Sequence, residues 1–248
     1  MKIYIAGTTK NDLKDIKEKF NVLESYAYIK KHEKDIDLLL RNTFILDSGA
    51  FTFMSKKTKA VDWEKYTDNY IEFINKHQIK NYFELDIYSV VGLKETERLR
   101  NKIEQKTNTK SIPVWHYELG AEYYKNLCES YKYIAIGASG RNDSKWTRTK
   151  PALLKSMVVY AKNKGVKVHG LGYTVMKMLP QIPFYSIDST TWLNAGKYGE
   201  YQFFNGQKII KKQGKSLNKK SIRSKSLELQ AHNLKEWIKF QKYAENNL

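Results

Sequence analysis

The sequence predicts an α/β fold, a (β/α)8 TIM-like barrel that becomes irregular toward its C-terminal end. Three observations lead there. Short apolar runs recur along the 248 residues, with amphipathic stretches between them. The runs are continuous rather than alternating, as strands covered on both faces require. Most of them end in Asp, Gly, Ser or His, residue types that barrel enzymes carry at the carboxyl ends of their strands.

Taken in order, the expected strands are Ile3–Ala6, Phe44–Asp47, Tyr82–Ile87, Ile112–His116, Tyr133–Gly137, Val166–Gly170 and Phe184–Asp188. A first helix is expected over Glu24–Lys34. The next starts at Asp62, an N-cap residue type, and places Trp63, Tyr66, Tyr70, Phe73 and His77 at helical spacing. Leu93–Gln105 and Ala121–Ser130 read as further helices. Ala152–Lys164 follows Pro151, which suits a first helical turn. A final helix over Ser226–Tyr243 carries Leu227, Ala231, Leu234 and Ile238 on one side. Strands alternating with helices call for parallel βαβ units, and an eighth strand would complete a barrel of about 250 residues. Gly199–Lys212 reads as a hairpin around Asn205-Gly206. Residues 1–198 are therefore expected to form the barrel core, with 199–248 adding hairpin, basic segment and C-terminal helix to the same domain.

Composition narrows the function classes. Hydrophobic residues make up 41% and aromatics 13%, enough to fill a core. No apolar run is long enough for a bilayer and no signal-peptide pattern is present, so a soluble cytoplasmic protein with no membrane partner is expected. The single cysteine, Cys128, excludes an intrachain disulfide and a multi-cysteine metal site. No His/Asp/Glu spacing indicates a metal, and no cofactor is expected. His32, His77 and His232 fall in helical patterns and read as structural or exposed, while His169 at a strand end is a candidate for pocket contact.

Lys+Arg total 44 against 26 Asp+Glu, a net charge of +18. Eight basic residues and no acid lie between Lys208 and Lys225. A second cluster, Arg141, Lys145, Arg148 and Lys150, encloses Trp146. Basic residues interleaved with an aromatic suit a polyanion whose bases stack. The expected nucleic-acid-binding residues are Arg141, Lys145, Trp146, Arg148, Lys211, Lys212, Lys215, Lys219, Lys220 and Arg223.

The strand ends carry the chemistry. They read Asp47-Ser48-Gly49-Ala50-Phe51, Glu84-Leu85-Asp86, Trp115-His116-Tyr117-Glu118, Gly137-Ala138-Ser139-Gly140, His169-Gly170-Leu171-Gly172-Tyr173 and Asp188-Ser189-Thr190-Thr191-Trp192. A carboxylate directly after an apolar run must be hydrated, paired or used. Asp47, Asp86 and Asp188 at one mouth point to a site. Gly49, Gly137, Gly140, Gly170 and Gly172 leave backbone open to a flat ligand. One carboxylate attacking a glycosidic carbon and a second managing protons suffice for a retaining displacement without a metal.

Asp47-Ser48-Gly49-Ala50-Phe51 closely resembles the Asp-Ser-Gly-Gly-Phe signature of the tRNA-guanine transglycosylases. Those enzymes are (β/α)8 barrels that replace guanine with a 7-deazaguanine. Asp86, Ile136–Gly140 and Asp188 follow in the family's order, so the resemblance spans Ile3 to Trp192. It implies Asp188 as the nucleophile at C1′ and Asp47 as general acid/base. Asp86 would accept the N–H groups of the guanine edge. Ser48, Gly49, Gly137, Ala138, Ser139 and Gly172 would line the pocket, with His116 as a base contact. Phe51, Trp146, Tyr173 and Trp192 would stabilise a base taken out of its stack.

Two departures bear on the substrate. The tRNA enzymes hold zinc with three cysteines and a histidine, which one cysteine cannot supply, and Thr52 stands where the family has glutamine. The short chain looks most like phage relatives that install 7-deazaguanines in DNA. The resemblance thus implies a bacterial or phage-infected host cell. Its partners would be DNA bearing a target guanine and a free 7-deazaguanine base. tRNA or another RNA is the alternative substrate, and a non-catalytic nucleic-acid-binding barrel or a carbohydrate hydrolase the alternative class.

Overall fold

The computed structural model describes residues 1–14, 16–54, 61–138, 143–173, 175–194, 200–213 and 219–248. Lys2–Ala6 (β1), Asn21–Ser25 (β2), Thr43–Asp47 (β3), Val114–Trp115 (β4), Tyr133–Gly137 (β5), Lys167–Leu171 (β6) and Ser186–Ser189 (β7) form one parallel sheet. Its order is β3-β2-β1-β7-β6-β5-β4. The sheet curls, so that its two edge strands approach a shared segment. Phe83 donates its N–H to the Leu46 carbonyl of β3 at 2.9 Å, and Ile112, just before β4, donates to the Tyr82 carbonyl at 2.8 Å.

The expected strand Tyr82–Ile87 is therefore reduced to isolated bridges, and the regular sheet has seven strands rather than eight. Glu84 explains the interruption. Its buried Oε1 accepts the Val114 N–H at 2.6 Å, a donor that a neighbouring strand carbonyl would otherwise take. Arg100, also buried, holds the same carboxylate at 3.2 Å from the helix Leu93–Thr107.

Successive strand residues point to opposite faces. Tyr4, Ala6, Leu23, Ile45, Phe83, Ile112, Val114 and Ala135 meet in an apolar cluster on the concave side. Ile3, Ile5, Val22, Phe44, Leu46, Ile134, Ile136 and Ile187 belong to a larger cluster under the helices. The helix Trp63–Lys76 starts as the sequence predicts, with the Asp62 side chain accepting the Lys65 N–H at 2.9 Å. Gly120–Ser130 and Pro151–Asn163 are the further helices, within two residues of expectation.

The strand β2 overturns the expected helix Glu24–Lys34. Only Tyr26–Ile29 of that stretch begins a helix, and it is one turn long. The mixed polarity of Asn21-Val22-Leu23-Glu24-Ser25 hides the strand, whose first polar member finds tertiary partners. Asn21 binds Gln241 and Glu245 of the C-terminal helix Lys219–Asn247.

The hairpin forms from Glu200–Phe204 (β8) and Ile209–Gln213 (β9), apart from the main sheet. It is tied to the C-terminal helix by Gln202 N–H to Asn233 Oδ1 (3.0 Å) and by Phe204 N–H to Glu236 Oε2 (2.9 Å). Gln202 also donates to the Thr191 carbonyl, just past the end of β7. The hairpin thus leaves the sheet at the carboxyl ends of the strands, while the far end of the helix reaches the start of β2. No helix among the described residues is long and apolar enough to cross a membrane.

Removing the carboxylate in Glu84→Ala leaves buried Arg100 with the more exposed Glu97, at 3.3 Å, as its remaining charge partner. The expected loss is about 3–5 kcal/mol of unfolding free energy, read from chemical denaturation.

Candidate active site

The site lies where the polar ends of inward-facing strand positions follow the apolar concave cluster. Register decides this. Leu23 pairs with Ile45 and Ser25 with Asp47, so Asp47 stands one inward step beyond an apolar layer. On the opposite side Tyr4 pairs with Asp188, and His169 with Ser186. Asp47 and Asp188 therefore project from the same concave face, each near the carboxyl end of its strand.

Each carboxylate meets a different environment. Asp47 Oδ2 accepts the Gly49 N–H at 2.9 Å. Burial pushes its carboxyl up, against the pull of that N–H, and the charges of Asp188 and Asp86 add to the rise, to about 6. Those charges act on Asp47 only because the three side chains share one region. Asp188 Oδ1 accepts the Gly172 N–H at 2.5 Å and faces His169 Nε2 at 3.2 Å. Both Asp86 oxygens lie 2.9 Å from His116 Nε2, and His116 Nδ1 lies 2.8 Å from Asp143 Oδ2. Burial opposes charge on His116, but hydrogen bonds to Asp143 and Asp86 and their negative charges outweigh it. The imidazole is pushed up to about 10 and stays protonated at neutral pH.

The glycines divide into two kinds. Gly49 has φ +73°, and a Cβ there would sit 2.5 Å from Ser25 Oγ and 2.7 Å from the Ala27 backbone nitrogen. The turn after Asp47 therefore needs glycine both for conformation and for space. At Gly137 a Cβ would lie 2.6 Å from His116 Cε1 and Nδ1. The room left by the missing side chain is filled by the His116 ring rather than left open.

Several expected site residues stand elsewhere. Both His116 nitrogens are taken by carboxylates, so the ring positions Asp86 and Asp143 and has no N–H to offer a base. Ser48 is buried, with its carbonyl accepting from the Tyr66 hydroxyl at 2.6 Å. Ala138 is buried and donates its N–H to the Leu171 carbonyl. Tyr173 packs on Phe184 with 1% of its surface exposed, and the fully buried Trp192 donates to the Ala6 carbonyl. These two aromatics are core residues, because each ring is shut off from solvent. Phe51 opens a short helix, Phe51–Met54. Ser139, Gly140, Arg141 and Lys215 lie outside the described residues.

The expected nucleic-acid residues divide similarly. Trp146 is buried, with Nε1 on Asp143 Oδ1 at 3.2 Å and its ring crossing Trp115, so it offers no surface for stacking. The exposed aromatic beside it is Tyr117, stacked on Trp146 at 5.2 Å and capped by the Lys150 ammonium. Lys145 and Arg148 are exposed on the helix Asp143–Thr149. Lys211 and Lys212 are exposed on β9, Lys211 paired with Glu200 and Lys212 placed over the Phe203 ring. Lys219, Lys220 and Arg223 belong to the first turns of the C-terminal helix.

A cavity of about 750 Å³ opens at the other end of the sheet, lined by Lys2, Asn21, Thr43 and Lys167, which begin four of the strands. It is remote from the aspartates. Among the described residues no group of three or more His, Cys, Asp and Glu is placed to hold a metal ion. Asp143 is the site residue that the sequence did not single out. It lies six residues past the apolar run of β5, at the start of a helix, and only folding reveals its contact with His116. No protein-family model matches the chain, and no curated protein is significantly similar to it.

Two expectations follow. Gly137→Ala displaces the His116 ring and releases Asp86, visible as loss of the imidazolium signals in NMR spectra at neutral pH. Asp47 holds its proton more tightly in the folded chain than in the unfolded one. Its contribution to stability therefore falls as pH rises from the usual carboxylate range to about 6. Asp47→Asn is expected to raise the melting temperature at pH 8 and leave it nearly unchanged at pH 4.

Proposed function

We propose that the chain is a base-exchanging transglycosylase that replaces guanine in DNA with a 7-deazaguanine. The observation that carries this reading is the shared concave rim of Asp47 and Asp188, with the Asp47 carboxyl raised to about 6 by burial and by its acidic neighbours. A carboxyl near neutrality is suited to give a proton and take one back within a single cycle.

The steps balance with these groups. An Asp188 oxygen bonds to C1′ of the target nucleotide as the bond from C1′ to the guanine nitrogen breaks, and Asp47 delivers its proton to that nitrogen. The released guanine leaves an aspartyl ester on the sugar. Asp47, now a carboxylate, takes the proton from the ring nitrogen of the incoming base. That nitrogen bonds to C1′, and Asp188 departs as carboxylate. Asp86, oriented by His116, accepts N–H donors from the guanine edge.

The bridges at Leu46–Tyr82 and Phe83–Ile112 support reading the curled sheet as a (β/α)8 barrel with an irregular strand at the fourth position. The likeness of Asp47–Phe51 to the transglycosylase signature supports the same reading. Lys150 on exposed Tyr117, and Lys212 beside stacked Phe203 and Tyr201, flank the carboxyl ends of the strands. Both suit contact with phosphates and bases around the target.

The decisive assay incubates the protein with guanine-labelled DNA or tRNA and a 7-deazaguanine at one salt concentration. Label is expected to leave DNA, and Asp188→Asn to slow release on the order of 10⁴-fold with DNA binding retained. Absence of release from every DNA and RNA tested would sink the reading. Because guanine departs with the Asp47 proton, single-turnover release is expected to fall as pH rises through about 6.

A further inference from the structure

We infer that His169 is a positioning residue that fixes which oxygen of Asp188 reacts; this rests on the nucleophile role proposed above. His169 has no exposed surface, and its ring contacts on either side are Tyr4 and Phe83. A buried imidazole in such surroundings must satisfy both nitrogens internally. It does so in a four-membered chain that runs along the concave interior. His169 Nε2 lies 3.2 Å from Asp188 Oδ1, Nδ1 lies 2.7 Å from Ser186 Oγ, and Ser186 Oγ lies 2.6 Å from the Tyr133 hydroxyl.

Proton bookkeeping gives the chain a direction. Burial drives the Tyr133 phenol far above its ordinary range, so it keeps its proton and donates it to Ser186. Ser186 then turns its own O–H toward His169 Nδ1. A ring that accepts at Nδ1 carries its proton on Nε2, which faces Asp188 Oδ1. An ionised carboxylate accepts only, so the last link matches the state in which Asp188 attacks. This placement of the protons satisfies the phenol, the hydroxyl and the imidazole while Asp188 is charged.

The consequence falls on Asp188. Among the described residues two donors, His169 Nε2–H and Gly172 N–H, converge on Oδ1. Oδ2 is then the oxygen that bonds C1′, and Oδ1 becomes the ester carbonyl. In the second half of the cycle the same donors receive the negative charge that returns to the carboxylate as the C1′–O bond breaks. Donors already aimed at that charge need no rearrangement when it forms.

Three substitutions separate positioning from packing. His169→Gln places an amide N–H near the former Nε2, His169→Asn reaches only toward the former Nδ1, and His169→Phe keeps volume without donors. The readout is single-turnover formation of the protein–DNA adduct on a denaturing gel, with DNA binding measured in parallel. His169→Asn and His169→Phe are expected to slow adduct formation by roughly 10- to 100-fold with binding unchanged, and His169→Gln to recover most of the rate. Equal loss in Gln and Phe variants, or no loss in any, overturns the inference. A wild-type protein that forms no adduct overturns the functional reading itself. Nitrogen NMR of the imidazole is an activity-independent arm. It is expected to show His169 neutral with the proton on Nε2 at pH 7, and a proton on Nδ1 overturns the directed chain.

Discussion

Three carboxylates crowded onto one rim repel one another, and the rest of the site is organised around tolerating that repulsion. Each aspartate is compensated by a different device. Asp47 has one backbone N–H and a raised carboxyl that keeps its proton into the neutral range. Asp86 shares a protonated imidazole with Asp143. Asp188 receives a backbone N–H and faces the His169 ring. Three chemically identical side chains thus acquire three different characters from their surroundings, which a site performing both attack and proton transfer requires.

The supports behind these groups are rigid. The Asp86–His116–Asp143 network ends on buried Trp146, whose indole binds Asp143 and whose ring rests against Trp115. Gly137 is bare so that the His116 ring passes over the strand. On the other side of the rim, Gly49 holds a turn that a Cβ would drive into Ala27. Catalytic groups held by packed second neighbours keep their geometry without reorganising. A buried charged pair, Glu84 with Arg100, sits on the outer face at the point where the regular sheet is interrupted. Its carboxyl is raised to about 7, chiefly by burial, with Arg100 and the Val114 N–H pulling the other way.

Positive charge and exposed aromatics gather beyond that rim. Tyr117 follows β4 directly, and Lys150 lies against its ring. The hairpin β8–β9, tied to the segment after β7, presents Tyr201 and Phe203 stacked at 5.6 Å. The aromatics that face outward here are therefore tyrosine and phenylalanine on short connecting elements, while Trp115, Trp146, Trp192 and Trp237 are interior. Tryptophan carries the larger apolar surface, and burying it stabilises the fold more than stacking at an edge would.

The sequence by itself determined the strand–helix alternation, the helix start at Asp62, the hairpin at Asn205-Gly206 and the strand-end positions of Asp47 and Asp188. These are local properties. Apolar runs, capping residues and turn dipeptides act within a few residues of themselves, so they are readable in one dimension. Tertiary structure alone decided the strand Asn21–Ser25, whose Asn21 is satisfied by a helix some 220 positions away in sequence. It likewise decided the interruption at Glu84, the burial of Trp146 and Tyr173, and the pairing of His116 with Asp143 and His169 with Asp188. In each case a polar or aromatic side chain takes its role from a partner distant in sequence, and the free energy of that contact exists only once the sheet has curled.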